Sequence, residues 1–298
     1  RGAGIVIEAV TEGNVPVWAG AAIAYGSVTV YVLFSGVAAV GWTNTFQGLF
    51  MLTIAWTLGL YLPISLYGGI GEMFSRILTE RPELLSLPGL TAAGEPWSWG
   101  GYSSAIIVSA VGLMMWPHLF MKAFTARSDD TLRKTVVLFP TFQLFLIPVF
   151  LIGFAGVLYP KSPPSADFIL PFMILNAELP AIVVGLFCAG ALSASMSTGD
   201  SLMHAAASVT VEDGIRPFRD LSDEARRRLI QVFVLLVGAV AYVFAVSEGV
   251  SLVVLLLTAY GIICQLAPPI VAALYWPRAT TAGVIAGFTA GSGTAAFF

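Results

Sequence analysis

The residues best suited to chemistry in this 298-residue sequence lie in one apolar stretch, Ala191-Leu-Ser-Ala-Ser-Met-Ser-Thr-Gly-Asp-Ser-Leu-Met-His204. Helical spacing places Ser193, Ser197, Asp200, Ser201, His204 and Ser208 on one face, with Thr198 at its edge. Hydroxyls, a carboxylate and locally freed carbonyls are the oxygen ligands that a helix interior can offer a hard cation such as sodium. An ionisable side chain costs at least ~2.5 kcal/mol at a helix centre in lipid, so Asp200 reads as functional. Packing accounts for part of the stripe without any ion, because small hydroxyl residues let helices approach and hydrogen-bond. Ser193, Ser195 and Ser208 suit that role, and His204 is placed to satisfy the carboxylate one turn earlier.

The elements that must hold this stripe are set by composition. Hydrophobic residues make up 57% of the sequence and charged residues 10%, against roughly half and about a quarter in soluble domains. Seven runs are long enough for the hydrocarbon core, which takes about 20 helical residues. They are Val17 to Val40, Thr45 to Tyr67, Tyr102 to Phe120, Thr135 to Leu158, Ala181 to Val211, Leu229 to Val246 and Leu252 to Trp276. Thr281 to Phe298 is a shorter candidate, and Gly2 to Val10 reads as a helix remnant. Alternate threading puts Arg1, Lys122, Arg127, Arg133, Lys134, Arg216, Arg219, Arg226, Arg227, Arg228 and Arg278 on one side. Only Arg76, Arg81 and Lys161 fall on the other, so the first side is expected to be cytoplasmic. Gly68 to Gly101 is expected to be an outer loop with a short amphipathic helix. Tyr159 to Pro180, with Pro163 and Pro164, is expected to hold an apolar segment, Phe168 to Leu175, as a lid on the outer surface.

Other classes of function find little support. A net charge of -3 without a broad basic face argues against nucleic-acid binding. Cys188 and Cys264 sit in separate apolar runs at no metal-ligand spacing. The sequence has no nucleophile-elbow spacing, phosphate-binding glycine loop or His-rich motif, so no enzyme activity and no cofactor are expected. The Arg226-Arg-Arg228 cluster reads as a topology determinant touching anionic lipid, and His118 as structural or interfacial.

The run from Ser195 through Met196, Ser197 and Thr198 to Asp213 resembles the eighth core helix of the sodium:solute symporter family. Gly41-Trp-Thr-Asn-Thr-Phe-Gln47 is similar to that family's fifth-helix entry, and Pro117 to Ala126 to its sixth-helix exit. Gln265-Leu-Ala-Pro268 followed by Tyr275-Trp-Pro-Arg278 resembles the tenth helix. The resemblance implies an all-α membrane protein, part of a 5+5 inverted-repeat transmembrane helix bundle. It also implies one transporter domain over 1–298, incomplete because core helices one and two are absent.

What the resemblance implies about sites follows residue by residue. The Ala194 carbonyl and the Ser197 and Thr198 hydroxyls would bind the main sodium ion. Some members carry a second sodium site with an aspartate on helix five; here that position is Asn44, and the facing helix-eight positions are Asp200 and Ser201. Asp200 either replaces the missing helix-five carboxylate or carries a proton in coupling or gating. For the solute, the sixth helix offers Ser109, Gly112, Leu113 and Trp116, with Pro117 expected to kink the chain. An ordinary helix with an interfacial Trp explains them equally well. Gln265 lines the pocket or satisfies carbonyls freed by Pro268 and Pro269. The implied activity is sodium-coupled symport of a small organic solute, such as a monocarboxylate, proline or pantothenate, at the plasma membrane. The alternatives are a transporter-like sensory domain and an inactive fragment.

Overall fold

A computed structural model describes residues 1–34, 37–91, 94–161, 163, 165–177, 179–247 and 252–297. Pro164 and Phe298 lie outside them. The described residues form fourteen α-helices: α1 (Gly2–Val10), α2 (Val17–Phe34), α3 (Val37–Tyr67), α4 (Ile70–Glu80), α5 (Trp99–Met114), α6 (Pro117–Phe124), α7 (Asp129–Phe142), α8 (Leu146–Val157), α9 (Ile169–Asn176), α10 (Ala181–Val209), α11 (Asp223–Val246), α12 (Leu252–Ile263), α13 (Ala267–Tyr275) and α14 (Thr281–Phe297). Seven spans, several made of two consecutive helices, are long and apolar enough to cross a membrane. Their outward residues suit lipid: Phe34 is 82% exposed, Trp42 79% and Val137 74%.

One boundary departs from the sequence reading. The first span ends at Phe34 rather than Val40, and α3 begins at Val37 rather than Thr45. Gly41-Trp-Thr-Asn44, expected between the first two spans, lies inside α3. In a lipid setting an unsatisfied backbone group costs several kcal/mol, against about 1 kcal/mol for a glycine in a helix, so the run stays helical. Asn44 thereby gains a fixed place on a helix face. The segment read as a surface lid is α9, and it is docked by one side: Pro171, Met173 and Ile174 are buried, with α9 against α1 and α8.

By its internal contacts the chain divides into two compact units, Arg1–Arg81 with Arg127–Gly249, and Pro82–Ala126 with Val250–Phe298. In the first unit, helices meet where side chains are small, since van der Waals packing rather than the hydrophobic effect joins helices in lipid. A Cβ added to Gly4 would stand 2.4 Å from the Val17 carbonyl oxygen, and one added to Gly59 would stand 2.5 Å from Pro148 Cβ. These contacts seat α1 on α2 and α3 on α8. The Tyr67 hydroxyl adds a cross-helix bond, donating to the Ala155 carbonyl at 2.6 Å. Val28 and Val32 of α2, Met203 and Ala207 of α10 and Val234 of α11 form a buried cluster. Helix α4 is amphipathic as expected and buries Met73 and Ile77.

Helix starts follow local rules. Ser98, Ser128 and Ser222 each cap a helix, accepting from the backbone N–H three residues on. Asp223 and Glu224 then complement the positive end of α11. The end of α10 is less regular: it passes through a π-helical turn, Thr210–Ile215, into a 3-10 turn at Arg216–Phe218. Glu212 holds this corner, accepting from Arg216 Nη1 at 3.0 Å and from Arg226 Nε.

Candidate functional site

Helix α10 runs unbroken for 29 residues, so all of its polar chemistry must come from side chains or from carbonyls shared with hydroxyls. Asp200 is 0% exposed. Its Oδ2 accepts a hydrogen bond from the Tyr31 hydroxyl of α2. Its Oδ1 accepts from Ser201 Oγ at 3.0 Å and from Asn44 Nδ2 of α3 at 3.4 Å. Asn44 Nδ2 also donates to Ser201 Oγ at 2.9 Å. Three helices therefore converge on one carboxylate. Every neighbour is a neutral donor, the arrangement that a carboxylate takes, and no Lys or Arg pairs with Asp200 among the described residues.

That cluster has an acceptor to spare. Asn44 Oδ1 is buried with no hydrogen-bond partner, and so is Oε1 of Gln47, one turn along the same helix. An orphaned buried acceptor costs about 1–3 kcal/mol, which a bound cation removes. The two ends of the Asn44 amide are related by a half-turn of the side chain, so either nitrogen or oxygen can face Asp200. With oxygen inward, Asn44 Oδ1, Ser201 Oγ and the Asp200 carboxylate make a hard, all-oxygen set of charge minus one, which fits a sodium ion. Clusters of three or more His, Cys, Asp or Glu are absent among the described residues. Both cysteines are free.

The residues expected at the main sodium site lie a turn away. Ala194 and Thr198 are exposed and Ser197 is half-buried. Ser197 Oγ donates to the Ala194 carbonyl at 3.1 Å, and the Ser197 carbonyl lies 3.2 Å from Ser201 Oγ. Ser197 thus adjoins both sets. Ser208 is buried at 8% exposure, while the Ser195 hydroxyl returns to the Ala191 carbonyl of its own helix. His204 makes no hydrogen bond to Asp200; its ring lines a cavity bordered by α2, α10 and α11. Tyr31, in contrast, was missed by the sequence reading. A tyrosine hydroxyl inside a span needs a partner, and that need was the available signal.

In the second unit, the expected kink is a full break. Helix α5 ends at Met114 and α6 starts at Pro117, with Trp116 extended between them. Pro117 has no N–H to give the Leu113 carbonyl, so a backbone acceptor is freed in mid-span. Ser109, Leu113 and Trp116 are half-buried and Gly112 is buried. A Cβ on Gly112 would meet Tyr260 Cδ1 at 2.7 Å, and Trp116 meets the Tyr260 ring edge-to-face at 5.7 Å. Gly112 is therefore a packing position. His118 stacks obliquely on Trp116 at 5.8 Å, with its Nδ1 buried and unpartnered. The tenth-helix span is interrupted by a 3-10 turn at Cys264–Leu266. Gln265 Nε2 donates to the Gly261 carbonyl at 3.3 Å, and its Oε1 would lie 2.3 Å from a Cβ at Gly291 of α14. Gln265 thus bonds a carbonyl one turn back, rests on α14 and also lines a cavity with Pro268, Pro269 and Phe288.

The chain is 28% identical over 300 residues to an uncharacterized symporter, YhjB, of Bacillus subtilis (strain 168), covering 100% of this chain and 60% of the relative. It is 25% identical over 288 residues to the high-affinity proline transporter PutP of the same organism, covering 91% of this chain and 57% of that protein. The chain spans less than two thirds of the length of these relatives. A solved Na+-coupled sialic acid symporter in a substrate-bound outward-open state superimposes with a TM-score of 0.69 at 16% identity, covering 100% of this chain and 70% of that one. It shows the fold, that of an all-α inverted-repeat symporter bundle. The model of the sodium:solute symporter family matches residues 2–291, and this multi-pass membrane chain belongs to that family.

Proposed function

We propose that the protein is a secondary active transporter that couples sodium entry to uptake of a small organic solute at the plasma membrane, residues 1–298 being part of its single transporter domain. Family membership supports the class of activity. The observation that carries the ion assignment is the buried Asp200, ringed by neutral donors beside the orphaned Asn44 Oδ1. Ala194, Ser197 and Thr198 hold the main sodium ion. Asn44, Asp200 and Ser201 hold a second, with the carboxylate supplied by α10 in place of α3.

The solute is assigned to the broken helix of the second unit, where the Leu113 carbonyl, Ser109 and Trp116 offer one acceptor, one hydroxyl and an aromatic face. No Lys or Arg lies inside these described helices near Trp116 except Lys122, in the last turn of α6. A carboxylate solute is then held by hydroxyls, backbone groups or sodium. Similarity to a proline transporter favours an amino acid such as proline. Sodium-dependent thermal stabilisation and uptake by the full-length protein, across a panel of proline, monocarboxylates and pantothenate, test the assignment. Asp200→Asn is expected to abolish part of the sodium response and Asn44→Asp to change it. An unchanged sodium dependence in both variants overturns the second ion site.

A further inference from the structure

The three arginines that open α11 do different work. Arg228 Nη2 turns back to Glu224 Oε1 at 2.5 Å, one turn away. Arg226 is held through Nε by Glu212. Arg227 is exposed and has no partner among the described residues. Arg226 and Arg227 border a cavity of about 420 Å³ formed by the end of α2, the start of α11 and the His204 turn of α10. Most of the remaining lining is apolar, Val32, Phe34, Ile230 and Val234, with Gln231 and His204 beside them.

We propose that this cavity is a binding site for an anionic phospholipid of the cytoplasmic leaflet. Its position fits, because the Lys and Arg residues of the loops gather on the side where α2 ends and α11 begins, and that side faces the cytoplasm. Its shape divides as such a lipid divides. A guanidinium has five N–H donors, so Arg226 keeps donors for a phosphate after Glu212 has taken Nε. That ion pair also fixes the direction in which the remaining donors point. Val32, Ile230 and Val234 of the same lining offer an acyl chain an apolar surface, and Phe34, 82% exposed, adds to it. A soluble phosphate would satisfy the arginines and leave this apolar half in contact with water. A zwitterionic lipid would fill the apolar half without the net negative charge that complements the rim. Asp223, also on the rim, opposes the anion and so gives the site a second, oppositely signed handle.

The test uses the purified full-length protein in detergent, with bound phosphatidylglycerol and phosphatidylcholine counted by native mass spectrometry, so its readout does not depend on transport. Removing one cation near a membrane surface changes lipid affinity by about fivefold. Arg227→Gln is expected to weaken phosphatidylglycerol binding by about that factor and Asp223→Asn to strengthen it by a similar factor. Both should leave phosphatidylcholine unchanged, and the effects should shrink as salt screens the charges. A photoreactive side chain at Ile230 should trap lipid. Equal phosphatidylglycerol binding in the wild type and both variants overturns the proposal. So does displacement of the lipid by inorganic phosphate at matched concentration, which marks a soluble-anion site, or capture of a protein segment by the Ile230 probe.

Discussion

The two units build polar sites inside apolar surroundings by opposite means. In the first, the helix stays whole and the chemistry is in side chains: Asp200 and Ser201 of an uninterrupted α10, joined by Tyr31 and Asn44 from two other helices. In the second, α5 and α6 part at Met115–Trp116, the tenth-helix span tightens into a 3-10 turn at Cys264–Leu266, and the prolines that follow leave backbone carbonyls without their helical N–H partners. The difference suits the roles proposed for the two units. A small cation of fixed charge needs a permanent counter-charge and a few oxygens at short range. A larger organic solute needs several acceptors and donors spread along a surface, which a broken helix offers without burying further charges.

The sharpest way to break this comparison is to remove the carboxylate. Asp200→Ala removes an acceptor from three donors; Asn44 Nδ2 keeps Ser201 Oγ and Ser201 Oγ keeps the Ser197 carbonyl, so the Tyr31 hydroxyl is the donor left unpaired, at about 1–3 kcal/mol. The variant is expected to lose several degrees of thermal stability along with its second-site sodium response. Asp200→Asn keeps the shape and tests charge alone. It should fold and still bind solute, with a weaker sodium-induced shift. If Asp200→Asn shows the wild-type sodium shift, the side-chain site of the first unit is structural and the contrast between the units collapses.

Healing the break in the second unit is the next test. Pro117→Ala restores an N–H for the Leu113 carbonyl and favours a continuous helix, a proline in a helix interior being worth about 3 kcal/mol. Solute-induced stabilisation is expected to fall by tenfold or more in apparent affinity, about 1.4 kcal/mol, while the sodium-induced shift of the first unit is retained. Loss of both together would show that the units are not separable in this way. A smaller effect is expected at Gly112, where alanine meets the Tyr260 ring. Overpacking costs about 1–3 kcal/mol, and because the contact is with a side chain, a Tyr260→Phe background should not relieve it whereas Tyr260→Ala should. Differential scanning fluorimetry of the three variants decides this.

The same contrast explains what was legible in the sequence. Asp200 was legible because a charge in an apolar run is conspicuous, and helical spacing alone placed Ser201 beside it. Pro117 announced the break at Trp116, since proline acts on the backbone through covalent structure. Asn44 was found through its family position, while the start of its helix, expected at Thr45, lies at Val37. Tyr31 and Tyr260 were not legible. A tyrosine hydroxyl inside a span signals the need for a partner, but nothing in the order of residues says that the partner of Tyr31 is a carboxylate on a helix about 170 residues later. Gln265 was weighed as either a pocket residue or a backbone partner, and only the geometry of Gly261 and Gly291 places its two amide ends.

Tyr31 supplies the finest test, because its expected effects on stability and on ion binding have opposite signs. Its hydroxyl is one of the donors that satisfy Asp200 when no cation is bound. Replacing it with phenylalanine removes that donor and keeps the ring against the cluster of Val28, Val32 and Met203. The ion-free protein should lose about 1.5–3 kcal/mol, the value of a hydrogen bond to a charged group. A cation then has less to displace and more charge to neutralise, so sodium should bind more tightly, by up to about tenfold if 1.4 kcal/mol of the loss is recovered on binding. Sodium titrations followed by thermal shift read both quantities in one experiment. A Tyr31→Phe variant that is destabilised with sodium affinity weakened or unchanged would make Tyr31 a ligand-positioning group, and the satisfied carboxylate of the first unit would then be part of the bound state rather than its competitor.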